Sequence, residues 1–81
     1  MPYLAPNRRL EIDEWSATPS TPGELNYVIT RQTHDYLRLK GLSYANINEV
    51  VGVLECAKQE FYRRIVAPYE DEKMRENGDI A

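Results

Sequence analysis

The sequence is short of the residues from which most catalytic, metal and disulfide sites are built. Its 81 residues include one cysteine, Cys56, and one histidine, His34. A single cysteine excludes an intramolecular disulfide, and no cysteine and histidine cluster has the spacing of a metal site. The four glycines stand apart from one another, so no phosphate-binding loop is present, and no nucleophile motif occurs. We therefore predict a protein that uses no cofactor and is not an enzyme, unless a site is assembled between subunits.

Long apolar runs and a basic surplus are also missing. No segment approaches the roughly 20 apolar residues that cross a bilayer, and residues 1–10 lack the apolar core of a signal peptide. We expect a soluble cytoplasmic protein that does not bind membranes. The formal net charge is −3, and residues 67–81, with two basic and five acidic side chains, carry the whole imbalance. Binding to duplex nucleic acid is not expected, because that binding depends on basic side chains.

Residues 1–20 hold three of the five prolines and several serines and threonines. This composition predicts an extended N-terminal arm. The large apolar side chains of Leu10, Ile12 and Trp15 distinguish the arm from a disordered tail, and the alternation of Leu10 and Ile12 would suit a short strand. We expect the arm to lie over the hydrophobic side of the helices, either of its own chain or of a neighbouring one.

The next segment carries the start and stop signals of a helix over about 22–40. Thr21 is a good N-cap, and Glu24, three residues later, completes a capping box. Gly41 suits the left-handed residue that follows a helix. The helix has an imperfect apolar stripe, formed by Leu25, Val28, Ile29, Tyr36, Leu37 and Leu39.

Apolar side chains then recur at spacings of three and four over residues 44–66, which predicts a second amphipathic helix capped by Ser43. The turn between the two helices is very short and favours an antiparallel hairpin. Pro68 predicts that the second helix stops or kinks, because proline lacks an N–H and clashes with the preceding turn. The segment 68–77 then forms a short C-terminal helix or continues the second helix after a bend.

The predicted fold is all-α, with an extended arm over residues 1–20 and a helical hairpin domain over 21–81. Two amphipathic helices expose more apolar surface than the arm can cover, so we expect a homo-oligomer. Ala45, Gly52 and Cys56 form a strip of small side chains at spacings of seven and four. This small-residue strip indicates close contact with another helix, in the hairpin or in a second subunit. The alternative is an exposed glycine that slightly weakens the helix.

A first polar group lies on one face of the first predicted helix. Arg31, His34 and Arg38 recur at spacings of three and four and offer donors to a phosphate or a carboxylate. Asp35 lies among them, so the alternative is a solvated face on which this carboxylate pairs with both arginines.

A second polar group combines aromatic and basic side chains near Pro68. Tyr62, Arg63, Arg64 and Tyr69 could stack a base and hold a phosphate. Tyrosine and arginine are also the residues that protein interfaces collect, so a protein contact is the alternative.

Three segments of the sequence resemble a family of small uncharacterised proteins from bacteriophages and prophages. They are GELNYVIT at 23–30, YANINEVVGVLECAKQEFYRR at 44–64 and PYEDEK at 68–73. The resemblance brings no catalytic residues. It implies a non-enzymatic accessory protein of the bacterial host cytoplasm, which would counteract host defence by engaging a host protein through the arm and the tyrosine-rich surface. A purely structural phage component is a further alternative.

The size and the predicted hairpin are also similar to those of phage helical-hairpin proteins that sequester cyclic nucleotide signals. This looser similarity implies capture of a small anionic ligand at subunit contacts, with Arg31, His34, Arg38, Arg63 and Arg64 around the pocket. The similarity rests on size and architecture, and no shared sequence motif supports it.

Overall fold

The computed structural model describes residues 3–15 and 17–80, without the side chains of Glu14 and Trp15. Within this part of the chain every regular element is helical, and the all-α prediction is confirmed. The elements are α1 (Pro6–Trp15), α2 (Pro22–Lys40), α3 (Tyr44–Phe61), a π-helical turn (Tyr62–Val66) and α4 (Ala67–Asn77). The chain divides into two compact units, residues 1–46 and 47–81, and each is described by itself.

The extended conformation predicted for the arm is wrong for residues 6–15, which form α1. Pro6 occupies the first helical position, where a missing N–H costs nothing. The main-chain N–H groups of Arg8 and Arg9 both donate to the carbonyl of Ala5, at 3.0 and 3.1 Å. The arm prediction also includes residues 1, 2 and 16 and the side chain of Trp15, which lie outside the described residues.

Contacts with α2 hold α1 in place in the first unit. Ile12 is the single buried side chain of the described residues, at 8% exposure. The Arg8 guanidinium donates to the Glu24 carboxylate at 2.7 Å, and the Tyr27 hydroxyl donates to Asp13 at 2.6 Å. A helix of this length is unstable alone in water, so these tertiary contacts account for its formation.

The predicted cap of α2 is confirmed, because the Thr21 hydroxyl accepts the Glu24 N–H at 3.1 Å. The Glu24 carboxylate does not accept from the main-chain N–H of Thr21, as it would in a capping box. It accepts instead from the main-chain N–H and the hydroxyl of Ser20, at 2.9 and 3.0 Å. At the other end Gly41 has the expected positive φ of 102°, but its ψ of 152° lies outside the left-handed helical region.

The short turn after α2 is fixed by two side chains. The Ser43 hydroxyl accepts the Asn46 N–H at 3.1 Å and caps α3 as predicted. The Asn46 side chain donates to the carbonyls of Lys40 and Gly41, at 3.2 and 2.8 Å. The antiparallel orientation of the hairpin stays a prediction, since α2 and most of α3 belong to different units.

The helical conformation continues through Pro68 rather than stopping before it. Pro68 has no N–H for the carbonyl of Arg64, and its ring would crowd that turn of an α-helix. The π-helical turn shifts the hydrogen bonds by one residue, so that the Ala67 N–H donates to the carbonyl of Tyr62. α4 therefore follows α3 directly and ends at Gly78, whose φ is 86°. Of the two outcomes that the sequence left open, continuation of the helix is the one observed.

Candidate anion-binding groove

A surface groove of about 360 Å³ in the first unit brings basic and aromatic side chains together. It lies between the segment that includes the start of α1 and one face of α2. Its lining consists of Tyr3, Leu4, Arg9, Tyr27, Thr30, Arg31 and His34.

The helical repeat explains why α2 contributes four of these side chains. Tyr27, Thr30, Arg31 and His34 are spaced by three, four and seven residues, which places them on one face of a helix. Arg9 belongs to α1, and the packing of α1 against α2 brings its side chain to the groove. Sequence reasoning found Arg31 and His34 but missed Arg9, Tyr3 and Tyr27, because it treated the first 20 residues as extended.

A hydrogen bond at the edge of the groove sets the electrostatics of Tyr27. Its hydroxyl donates to Asp13 at 2.6 Å, and this bond, assisted by desolvation, raises the pKa of Tyr27 above its ordinary value. The positive charges of Arg31 and Arg9 act in the opposite direction. Both guanidiniums therefore lie close enough to Tyr27 for their charges to act on its hydroxyl.

The two arginines of the first predicted group share one carboxylate. Asp35 accepts from Arg38 at 3.1 Å and lies 3.4 Å from the Nε of Arg31. This is the solvated ion-paired face that the sequence offered as an alternative. Arg31 and His34 line the groove, whereas Arg38 is exposed and does not line it.

Arg9 differs from the other arginines in its surroundings. Among the residues that the structure describes, no carboxylate forms an ion pair with its guanidinium. Arg8, its neighbour in the sequence, is held by Glu24 and Glu11. Arg9 is thus the groove cation whose donors remain open to a ligand.

In the second unit the basic side chains of the other predicted group are paired locally. Glu60 accepts from Arg63 at 3.0 Å and also forms an ion pair with Arg64. The hydrogen bonds from Arg64 and then Arg63 lower the pKa of Glu60 below its ordinary value. Both arginines therefore already have an anionic partner.

The tyrosines of this group are also engaged by neighbours on the helix. The Tyr62 hydroxyl donates to Glu70 at 3.2 Å, which raises the pKa of Tyr62. The ring of Tyr69 lies 5.5 Å from the Lys73 ammonium, within the range of a cation–π contact. A role of these residues in binding a ligand stays a prediction.

A second groove, of about 650 Å³, follows the surface of this unit. It is lined by Glu55, Cys56, Lys58, Gln59, Glu60, Tyr62 and Arg63. All seven belong to one stretch of helix, so this groove is a gap between neighbouring side chains rather than a cleft between two elements.

The small-residue strip of Ala45, Gly52 and Cys56 is exposed. Apart from the neighbouring residues and the backbone of its own helix, no described atom lies within 4 Å of the place that a Cβ would take at Gly52. The Cys56 thiol is free. The structure thus gives Gly52 no packing partner, and contact of this strip with a second copy stays a prediction.

The described residues include neither a membrane-spanning helix nor a metal-binding cluster. No helix among them combines the length and the apolar character that crossing a membrane requires. No group of three or more histidine, cysteine, aspartate and glutamate side chains in this part of the chain could hold a metal ion.

Comparison with known proteins places the chain in a family. No curated protein and no solved structure gives a significant match. The sequence model of one family, described as a domain of unknown function (DUF6899), matches residues 1–80 and so covers nearly the whole chain. The protein therefore belongs to the DUF6899 family.

Proposed function

We propose that the protein is a non-enzymatic binding protein that acts as a homo-oligomer assembled through α3. The observation that carries this proposal is the lack of a core: Ile12 is the single buried side chain among the described residues. A small domain needs buried apolar area to offset the entropy of ordering its chain. A second copy supplies that area without any further component.

The apolar stripe of α3 and the π-helical turn is the surface for this contact. We define it by Ile47, Val51, Leu54, Phe61 and Ile65, which recur at spacings of three, four and seven. They are between 37% and 62% exposed. Large apolar side chains left open along one helical face mark a protein contact.

The charges of this helix favour an antiparallel pair. Residues 47–56 contain two acidic side chains and no basic one, whereas residues 57–66 contain three basic side chains and one acidic one. An antiparallel second copy sets the acidic half of each helix against the basic half of the other, which is a self-complementary two-fold contact. A parallel pair would set like charges side by side.

The biological role that fits such an assembly is the one that the resemblance implies. As an accessory protein of a phage or prophage in the bacterial cytoplasm, the oligomer would present its tyrosine-rich surface to a host protein. Tyr62 and Tyr69, both exposed in the second unit, form this surface and support the role, since tyrosine is enriched where proteins meet. A structural role in the phage particle and capture of a cyclic nucleotide at subunit contacts are the alternatives.

Solution mass of matched variants tests the contact. Cys56 follows Leu54 by two residues, or roughly 200° around the helix, so the two side chains point in nearly opposite directions. Leu54→Glu places a charge in the apolar stripe, and Cys56→Glu places the same charge in the small-residue strip. Both sites are exposed, so neither change disturbs the folding of a single chain.

Light scattering at micromolar concentration should report an oligomer for the wild-type protein and for Cys56→Glu, and a monomer for Leu54→Glu. A monomeric wild-type protein would overturn the proposal. If Cys56→Glu dissociated the oligomer and Leu54→Glu did not, the subunit contact would lie at the small-residue strip instead.

The host-protein role needs a separate measurement. Immobilised wild-type protein should retain a protein from a bacterial lysate that the Tyr69→Ala variant does not retain. The variant should form an oligomer of the same mass as the wild-type protein. Equal retention by both proteins would indicate that the tyrosine-rich surface is not involved.

A further inference from the structure

The groove between α1 and α2 combines three features that a site for a small phosphorylated molecule needs. It has a cation that forms no ion pair with any described residue, a second cation and an imidazole nearby, and aromatic rings at its wall. All of them belong to one chain and one unit, so the site does not depend on the oligomer.

We propose that Arg9, Arg31 and His34 bind the phosphate of a small monoester whose planar ring packs against Tyr3 and Tyr27. Guanidinium groups offer planar pairs of donors that match phosphate oxygens, and charge-assisted bonds of this kind are the strongest that side chains form. Arg9 comes from α1, whereas Arg31 and His34 follow each other on one face of α2. The groove therefore presents donors from two elements toward one space.

Asp13 and Asp35 lie near the groove without lining it, and each already has a partner. Asp13 accepts the Tyr27 hydroxyl at 2.6 Å. Asp35 is shared between Arg31 and Arg38, at 3.4 and 3.1 Å. These contacts occupy both carboxylates. Among the described residues, the lining of the groove contains Arg9, Arg31 and His34 and no acidic side chain, so its charge balance is positive.

The size and the walls of the groove restrict the ligand. A volume of about 360 Å³ suits a single phosphate attached to one ring system and lies at the low end of ligand sites. Tyr3 is 82% exposed, so most of its ring surface is accessible to a ligand. The apolar part of the lining consists of Leu4 and the two tyrosine rings. Two aromatic faces favour a flat group over an aliphatic chain.

Titration of the full-length protein with phenyl phosphate tests this site. Amide chemical shifts of α1 and α2 follow the binding, with inorganic phosphate, benzoate and benzyl alcohol as comparison probes. Phenyl phosphate should bind most tightly, because it alone has both the dianionic head and the ring. Benzyl alcohol, which has no charge, should not bind.

Arg9→Gln is the decisive variant, since it removes a guanidinium that holds no ion pair in the described structure. It should weaken phenyl phosphate binding about tenfold to a hundredfold, the range for a charge-assisted bond. Lys40→Gln is the matched control, because it removes one positive charge from the same unit outside the groove and leaves the ion pairs of Asp35 intact. Circular dichroism checks that both variants keep the wild-type helix content.

Tyr3→Ala tests the ring separately. It should reduce the preference for phenyl phosphate over inorganic phosphate while leaving inorganic phosphate binding unchanged. Absence of a saturable shift at about 10 mM phenyl phosphate, or equal weakening by Arg9→Gln and Lys40→Gln, would overturn the proposal. A monomeric protein that still binds phenyl phosphate would leave this site intact and remove only the oligomer.

Discussion

The Arg8 guanidinium lies 2.7 Å from the Glu24 carboxylate and joins α1 to the first turn of α2 across 16 residues of sequence. The same Arg8 nitrogen donates to the carbonyl of Thr18 at 3.0 Å, and its other terminal nitrogen reaches Glu11 at 3.1 Å. Glu24 in turn accepts two bonds from Ser20. This network determines where α1 lies, and the groove depends on it.

The network predicts that the stability of the first unit falls at acidic pH. The hydrogen bond from Arg8, followed by that from the Ser20 main chain, lowers the pKa of Glu24 to about 2 from its ordinary value of 4.5. A carboxyl group whose pKa is lower in the folded than in the unfolded protein stabilises the folded state fully at pH values above the unfolded-state pKa. This contribution is lost as the pH falls through the folded-state pKa. The first unit should therefore lose stability between about pH 4.5 and pH 2.

Carboxyl chemical shifts of Glu24 measured against pH test this directly. Arg8→Gln should raise the pKa of Glu24 toward 4.5, and Arg75→Gln, which removes an ion pair of α4, should leave it unchanged. A Glu24 carboxyl that titrates near its ordinary value in the wild-type protein would contradict the Arg8 contact.

The cap of α2 predicts a loss of stability in Thr21→Ala. The Thr21 hydroxyl accepts the Glu24 N–H, and loss of such a cap costs about 1 kcal/mol. Thr18→Ala is the matched control, because the contact described for Thr18 uses its main-chain carbonyl. Urea unfolding should separate the two variants, and equal midpoints would show that the cap is not formed.

The π-helical turn predicts a change of helical register in Pro68→Ala. Alanine supplies the N–H that Pro68 lacks, so the turn can return to α-helical bonding, with a gain of at most about 3 kcal/mol. The return would rotate α4 relative to α3 and separate Tyr62 from Glu70, which now lie 3.2 Å apart. The pKa of Tyr62, measured by absorbance, should then fall toward its ordinary value. An unchanged Tyr62 titration would indicate that the π-helical turn does not depend on Pro68.

The open surroundings of Gly52 predict a gain of stability in Gly52→Ala. Alanine favours an interior helical position by about 1 kcal/mol, and the added Cβ meets no described atom. Gly41→Ala should have the opposite effect, at a cost of at least about 1 kcal/mol, since φ at this position is 102°. Thermal unfolding compares the two variants. A Gly52→Ala protein that gains helix but loses mass in light scattering would place the small-residue strip in the subunit contact.

The bounds of α2 and the caps of α2 and α3 were predictable because their signals are local. Thr21 and Ser43 bond to N–H groups three residues away, and the turn glycine Gly41 follows directly. Such contacts form within a few residues whatever the rest of the chain does. They therefore appear in the sequence as residue types at fixed spacings.

The sequence restricts the backbone conformation around Pro68 to a few alternatives but does not select one of them. The missing N–H excludes an uninterrupted α-helix, and the residue type is compatible with a stop, a kink or a π-helical turn. The contact between Tyr62 and Glu70 across the turn accompanies the third outcome.

The sequence by itself determined the all-α class, the two capped helices and the exposed apolar stripe, because each follows from periodicity and short-range bonding. Only the tertiary structure decided that residues 6–15 are helical and that Arg9 joins Arg31 and His34 in one groove. The reason is physical. α1 is too short to be stable alone, and the ion pair, hydrogen bond and buried Ile12 that hold it form only when distant parts of the chain meet.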